Sequence, residues 1–209
     1  MEQLVAAIVD GNRTEAVRAV RALLNQGATH GEVVTNGVEA AMKQLDLKCT
    51  AEKFSILEIM LSGRAVMGVV DELYPAGTKM PHSKGTVVLC AIKGDIHDLG
   101  KNIVKIVLSA SGYRVVDCGT DCPVDLLAAT AERENAIAVG VSSLITTVIP
   151  NVRQVRQELR KRGLDDTPVL AGGAALMQAS ANDLNVDYVA RSVFDGLRFL
   201  EETIDNERS

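Results

Sequence analysis

A histidine with an aspartate two residues before it and glycines on both sides forms the segment 93–100, Lys-Gly-Asp-Ile-His-Asp-Leu-Gly. Asp95 can accept the proton of one ring nitrogen of His97, which raises the basicity of the other nitrogen, as a metal-binding imidazole requires. Gly94 and Gly100 have no Cβ, so a bulky ligand can approach the backbone closely. These residue types and their spacing identify His97 as a candidate metal ligand.

The pattern around this segment predicts where it lies in the fold. Residues 86–92 are apolar and rich in β-branched side chains, which predicts a buried strand, and residues 99–111 have an amphipathic helical pattern. The segment is therefore expected to be a strand-to-helix loop. In open α/β folds such loops lie at the carboxyl edge of a parallel sheet, where ligands bind.

The chain after residue 85 alternates between strand and helix patterns. We expect strands at 86–92, 113–118, 137–141, 168–171 and 187–190, and helices at 99–111, 123–133, 146–162, 174–183 and 194–205. This alternation predicts an α/β fold with a doubly wound, five-stranded parallel sheet in the flavodoxin order 2-1-3-4-5. His97 and Ser142 would then lie on adjacent loops beside one crevice.

The first 75 residues contain helical patterns only. They predict a four-helix bundle with helices at 2–10, from Asn12 to near Gly27, from Thr29 to Leu45 and from Thr50 to Tyr74. Residues 76–85 are polar, contain Pro and Gly, and are expected to form a linker. The expected organisation is a helical domain (1–75), a linker (76–85) and an α/β domain (86–209).

Composition argues against several classes of function. The net charge of -5, with three Phe, three Tyr and no Trp, argues against nucleic-acid binding. The N-terminus has no signal-peptide pattern and no apolar run approaches ~20 residues, so we expect a cytoplasmic protein without a membrane partner. The pair Cys118 and Cys122 could indicate a metal or redox site, but small apolar side chains beside a strand end are the favoured interpretation.

Three short motifs follow successive predicted strands: Asp95-x-His97-x-x-Gly100, Ser142-Ser143-Leu144 and Gly172-Gly173. Together they resemble the cobalamin-binding domains of methionine synthase and of corrinoid methyl-carrier proteins, and the resemblance covers the whole chain. It implies a cobalamin or related corrinoid cofactor bound base-off, with its benzimidazole displaced from cobalt by His97 as the lower ligand.

The resemblance also implies roles for the other motif residues. Asp95 would orient His97, and these two would be the catalytic pair. The residues that would contact the corrin or admit it are Gly94, Ile96, Asp98 and Gly100. Those that would line the slot for the nucleotide tail are Ser142, Leu144, Thr146, Gly172 and Gly173.

The function implied by the resemblance is transport of a methyl group on cobalt. A donor-specific methyltransferase would supply the methyl group, an acceptor methyltransferase would pass it to tetrahydrofolate or a thiol, and a reductive activator would rescue oxidised cofactor. The helical domain resembles the cap that shields the reactive face of cobalt. Such a protein is not expected to turn over alone.

Other classes of protein share parts of this pattern. A dinucleotide site would need Gly-x-Gly-x-x-Gly, whereas Gly94 and Gly100 are the only glycines in the loop. A phosphoacceptor receiver domain would need neither His97 nor the helical domain. A mutase-type cobalamin-binding subunit would have no helical domain, and a cobalamin-dependent regulator would need a further domain, for which 209 residues leave little room.

Val148 is one position that departs from the family pattern. In methionine-synthase-like domains, a hydroxyl residue six positions after the first Ser of the Ser-x-Leu motif completes a relay with the histidine and aspartate. Here that position is Val148, which cannot donate a hydrogen bond. We therefore expect either Thr147 or a water molecule to serve Asp95, or a weaker proton link between His97 and solvent.

Overall fold

The computed structural model describes residues 1–51, 56–75 and 84–208. The described residues form two compact units, one containing the N-terminal helices and the other the sheet. Most of the expected linker, residues 76–83, lies outside the described ranges. Within the described ranges, no helix is long and apolar enough to cross a lipid bilayer.

The N-terminal unit is helical, as the sequence predicts. Its helices are α1 (Glu2–Val9), α2 (Arg13–Asn25), α3 (His30–Val33), α4 (Ala40–Ala51) and α5 (Ile56–Leu73), with a π-helical segment, Val34–Glu39, between α3 and α4. The fourth helix was expected to begin near Thr50. This start is wrong, because α4 continues through that residue. Residues 52–55, which include part of the expected helix, lie outside the described ranges.

Side-chain caps fix two of the predicted helix starts. The Asn12 side chain accepts the Glu15 N–H at the start of α2, and Thr29 and Glu32 form a reciprocal capping box at the start of α3. Each cap satisfies N–H groups that have no partner within the helix. These two starts could therefore be read from local sequence.

The second unit contains a five-stranded parallel sheet. Its strands are β1 (Thr86–Ala91), β2 (Arg114–Asp117), β3 (Ala138–Ser142), β4 (Val169–Gly172) and β5 (Tyr188–Val189). They are arranged in the order β2-β1-β3-β4-β5. This arrangement confirms the predicted flavodoxin order, whose switch point lies between β1 and β3.

Helices follow the strands in this unit. They are α6 (Leu99–Ala110), α7 (Val124–Arg133), α8 (Ile149–Arg160), α9 (Ala181–Leu184) and α10 (Val193–Arg208). The expected helix at 174–183 is wrong, because that stretch contains a 3-10 turn, Leu176–Gln178, and a separate helix that begins only after the Ser180 cap. The expected start of α8 at residue 146 is also too early, since Thr146–Val148 forms a 3-10 turn.

Three cysteine side chains contribute to the apolar core on one side of the sheet. Cys90 and Cys122 are buried in this core and Cys118 packs against it. A hydrogen bond to Cys122, together with burial, raises the pKa of Cys118 well above its usual range. The bond from Cys118 lowers the pKa of Cys122, but a bond to Cys90 and burial outweigh it and raise that pKa to about 12. These cysteines therefore behave as small core residues, as expected.

The raised thiol pKa values predict slow alkylation of the native protein. Because the thiolate is the reactive form, iodoacetamide at pH 8 should modify Cys118 and Cys122 far more slowly than a free thiol, and the rate should rise steeply only at higher pH. Mass spectrometry of tryptic peptides would measure the extent of modification, with protein unfolded in guanidinium as the control. Equal rates in native and unfolded protein would contradict the prediction.

Candidate functional site: a histidine at the carboxyl edge of the sheet

The loop that carries His97 leaves the end of β1 and is braced by two neighbouring elements. From the loop after β2, the Asp121 side chain accepts the Gly94 N–H at 2.7 Å, and its own N–H donates to the Asp95 carbonyl at 2.8 Å. From α8, Asn151 donates to the Lys93 carbonyl at 2.8 Å. The loop is thus held in place through its backbone.

His97 and Asp95 interact as the sequence predicts. Nδ1 of His97 lies 2.7 Å from Oδ1 of Asp95, and the His97 backbone N–H donates to the same oxygen at 2.8 Å. The carboxylate is fully buried, whereas the imidazole is 51% exposed. A proton on Nδ1, facing the carboxylate, leaves the lone pair of Nε2 available to a ligand.

The second oxygen of Asp95 is held by the loop after β3. Oδ2 accepts the Ser143 hydroxyl at 2.6 Å and the Leu144 N–H at 2.7 Å. Burial alone would raise the pKa of Asp95, but the hydrogen bonds from Ser143, from the N–H groups of His97 and Leu144, and from the imidazole outweigh it and hold the pKa well below its usual range. Asp95 is therefore ionised, and its carboxylate accepts a hydrogen bond from Nδ1 of His97.

The remaining predicted residues of the first loop lie around this pair. Ile96 is 76% exposed. Asp98 directly precedes α6 and accepts a hydrogen bond from the Asn102 side chain at 3.0 Å. A Cβ on Gly100 would lie 3.9 Å from the Ser142 hydroxyl, so the first loop and the end of β3 are neighbours. The predicted adjacency of these two loops is therefore present.

The predicted residues after β3 and β4 divide into two groups. The backbone of Leu144 reaches Asp95, and Gly172 accepts the Ser143 N–H at 3.0 Å. Gly173 has a φ of +99°, and a Cβ there would lie 2.3 Å from the Ser143 carbonyl oxygen. By contrast, Thr146 is exposed, and it is not among the donors to Asp95.

Three residues that position the loop were not predicted as site residues. The most important is Ser143, which donates a hydrogen bond to Oδ2 of Asp95. Thr147 or a water molecule was expected to make that contact. The repeated serine in Ser142-Ser143-Leu144 was the available signal, because successive side chains at the end of a strand point to opposite faces of the sheet. The other two, Asp121 and Asn151, follow β2 and β3, whose carboxyl ends share the edge that carries His97.

His97 offers one nitrogen, Nε2, to a metal. In the described part of the chain, no group of three or more His, Cys, Asp or Glu side chains could hold a metal ion. A bare ion needs several protein ligands, whereas a metal already held by a macrocycle needs only an axial one. Exposed apolar side chains at this edge, Ile96 and Leu144 in the loops and Leu99 at the start of α6, suit the rim of such a macrocycle.

Comparison with known proteins identifies relatives along the whole chain. A family model described as a B12 binding domain matches residues 85–196, and a second model with the same description matches residues 1–74. Dimethylamine corrinoid protein 1 of Methanosarcina mazei is 29% identical over 208 residues, which are 98% of this chain and 95% of that protein.

Two further relatives extend the comparison. Methionine synthase of Mycobacterium tuberculosis is 31% identical over 99% of this chain, which spans only 18% of that larger protein. A chain in the crystal structure of the methanol:cobalamin methyltransferase complex from Methanosarcina barkeri superposes with a TM-score of 0.80 at 25% identity, covering 97% of this chain and 78% of that one. This chain belongs to the B12-binding domain family, and its cofactor is cobalamin or a related corrinoid.

Proposed function

We propose that this protein carries a methyl group on the cobalt of a base-off corrinoid between two methyltransferases. One would hold the methyl donor, and the other would deliver the methyl group to an acceptor such as tetrahydrofolate or a thiol. Support comes from relatives named as corrinoid proteins that match the chain over nearly its full length. The bound corrinoid would supply the cobalt that accepts and releases the methyl group.

His97 gives the most direct support, because its exposed imidazole would offer one nitrogen ligand to the metal of the cofactor. Its Nδ1 is committed to Asp95, so Nε2 is the nitrogen that would face cobalt. The fully buried carboxylate cannot itself reach a ligand. Asp95 would therefore orient the imidazole and increase its basicity.

The Ser143 and Leu144 bonds to Asp95 keep the carboxylate in place against the imidazole. The remaining predicted corrin and tail contacts are Gly94, Ile96, Asp98, Gly100, Ser142, Thr146, Gly172 and Gly173.

We propose that residues 1–75 form a helical cap, residues 76–85 a linker and residues 86–209 the cobalamin-binding domain. Partner methyltransferases are supported by the match to a chain of the methanol:cobalamin methyltransferase complex. A reductive activator would return oxidised cofactor to the active state. We further propose that the protein works in the cytoplasm.

Cofactor retention tests this function first. Apoprotein mixed with hydroxocobalamin and then desalted should retain a stoichiometric amount, and its visible spectrum should be that of cobalamin with the benzimidazole displaced and a histidine bound. Bovine serum albumin treated in the same way controls for adventitious binding. If no corrinoid remains after desalting, the proposed function fails.

The protein is predicted to need partners for turnover. After loading and chemical methylation of the cofactor, the isolated protein should not transfer methyl groups catalytically to tetrahydrofolate or a free thiol, whereas an acceptor methyltransferase should increase the rate. Free methylcobalamin with the same methyltransferase is the control. Multiple turnovers by the protein alone, from a simple donor to a simple acceptor, would contradict the carrier assignment.

A further inference from the structure

A buried hydroxyl lies directly behind the carboxylate that holds His97. Ser143 is fully buried, and its Oγ lies 2.6 Å from Oδ2 of Asp95. The same Oγ can accept the Ile145 N–H at 3.1 Å, or donate to the Ile145 carbonyl at 3.0 Å. The carboxylate is the closer acceptor and is charged, so the Ser143 hydroxyl donates its hydrogen bond to Asp95.

The bonds to Asp95 fix its rotation as well as its charge. Oδ1 accepts from the backbone and the ring of His97, and Oδ2 accepts from Ser143 and Leu144. The carboxyl group therefore has two donors on each oxygen. Without Ser143, Oδ2 would keep a single donor and the carboxylate plane would be held less firmly against the imidazole.

The loop after β4 determines where Ser143 lies. Gly172 accepts the Ser143 N–H at 3.0 Å. At Gly173, a Cβ would lie 2.3 Å from the carbonyl oxygen of Ser143 and 2.9 Å from its carbonyl carbon. A side chain at Gly173 would therefore displace the Ser143 peptide. A Cβ at Gly172 would meet only Ala190, at an ordinary 3.9 Å.

We propose that Ser143 is a positioning residue for His97 and that Gly173 acts on His97 through Ser143. This link joins the loop after β4 to the imidazole through the Ser143 peptide, the Ser143 hydroxyl and the Asp95 carboxylate. It rests on the proposed role of His97 as the lower ligand. The link itself lies in the protein alone, so it can be tested without a cofactor.

The first test uses apoprotein at a pH where the imidazole is neutral. Long-range ¹H–¹⁵N NMR spectra distinguish the Nδ1–H and Nε2–H tautomers of His97. Wild-type protein should favour Nδ1–H because Asp95 accepts that proton. Ser143→Ala should lower the ratio of Nδ1–H to Nε2–H by roughly tenfold, a change equal to the lower end of the loss in metal affinity or activity when groups that orient a metal-ligating histidine are removed.

Thr147→Val is the matched control for this test. Thr147 is exposed on the same loop, and removing its hydroxyl should leave the tautomer ratio unchanged. A wild-type ratio in Ser143→Ala would overturn the proposal, as would an equal change in Thr147→Val. Ser143→Ala removes one oxygen atom, and far-UV circular dichroism would verify that the variant folds.

A double-mutant cycle tests the role of Gly173. Gly173→Ala should lower the tautomer ratio in the wild-type background but have little further effect in the Ser143→Ala background, because both changes act on the same link. Gly172→Ala, which introduces a Cβ without a clash, should leave the ratio near its wild-type value. Independent effects of the two changes would overturn the link, and Ser143→Ala decides the role of the hydroxyl even if Gly173→Ala does not fold.

Protein loaded with corrinoid allows a second measurement, by EPR, of whether His97 is bound to cobalt. The fraction of Co(II) corrinoid whose EPR spectrum shows histidine nitrogen should fall in Ser143→Ala relative to Thr147→Val. An unchanged fraction would contradict the positioning role. Failure to retain any corrinoid would instead refute the proposed function, while the tautomer ratio in apoprotein would still decide whether Ser143 positions His97.

Discussion

Replacing His97 with alanine is expected to remove the protein nitrogen from cobalt while leaving much of the corrinoid bound. The imidazole is exposed, and its Nδ1 is occupied by Asp95, so Nε2 is the nitrogen that would bind cobalt in the proposed complex. The other proposed contacts lie along the glycine-containing loops and do not depend on the imidazole. We therefore expect loss of ligation without proportional loss of binding.

Co(II) EPR of loaded protein measures this directly. Wild-type spectra should show splitting by one ligand nitrogen, and ¹⁵N-histidine labelling should change the splitting pattern if that nitrogen belongs to histidine. His30→Ala is the matched control, because His30 lies in the helical unit, where its ring contacts Tyr74, and its removal should leave the nitrogen signal intact. Histidine-derived splitting that persists in His97→Ala would refute His97 as the ligand.

The second large effect is expected at a largely buried ion pair beside the site, in which the side chain of Lys101 is 4% exposed and that of Asp117 is 17% exposed. Lys101, in the first turn of α6, places Nζ within 2.7 Å of both oxygens of Asp117 at the end of β2. Burial alone would raise the pKa of Asp117, but Lys101 and the Gly119 N–H outweigh it and lower the pKa. Lys101→Met would leave this carboxylate without its main partner, so we expect a loss of about 3–5 kcal/mol in the free energy of unfolding.

Lys105→Met is the matched control for Lys101→Met. Lys105 also contacts Asp117, at 3.4 Å, but its side chain is 46% exposed, compared with 4% for Lys101. Solvent screening limits an exposed pair to about 1 kcal/mol or less. Urea unfolding followed by circular dichroism would measure the free energy of unfolding of wild type, Lys101→Met and Lys105→Met. Similar losses of stability in the two variants would contradict the prediction that the Lys101–Asp117 pair contributes more than the Lys105–Asp117 pair.

The pH dependence of Lys101→Met follows from the lowered pKa of Asp117. A carboxyl group with a lowered pKa contributes stability above its unfolded-state pKa, and that contribution is lost as the pH falls through the folded-state value. The stability difference between wild type and Lys101→Met should therefore be largest near neutral pH and narrow below about pH 4. A difference that stays constant into acid would show that lost packing, rather than charge, causes the destabilisation.

The sequence alone determined the fold class and the centre of the site. Alternating patterns and right-handed crossovers led to the strand order that the structure has. Local caps fixed the starts of α2 and α3. Asp95 and His97 are two residues apart on a strand-to-helix loop, so their contact depends on local geometry and could be read directly from the chain.

Only the tertiary structure decided which residues hold the Asp95 carboxylate and its loop. Ser143 reaches Asp95 across 48 positions of the chain, and Asp121 reaches Gly94 across 27. Such contacts depend on the register of neighbouring strands and the direction of each side chain, neither of which a local pattern specifies. Gly173 could likewise be recognised as a motif residue, but its close approach to Ser143 exists only because β3 and β4 pair in the observed register, which brings their carboxyl ends together.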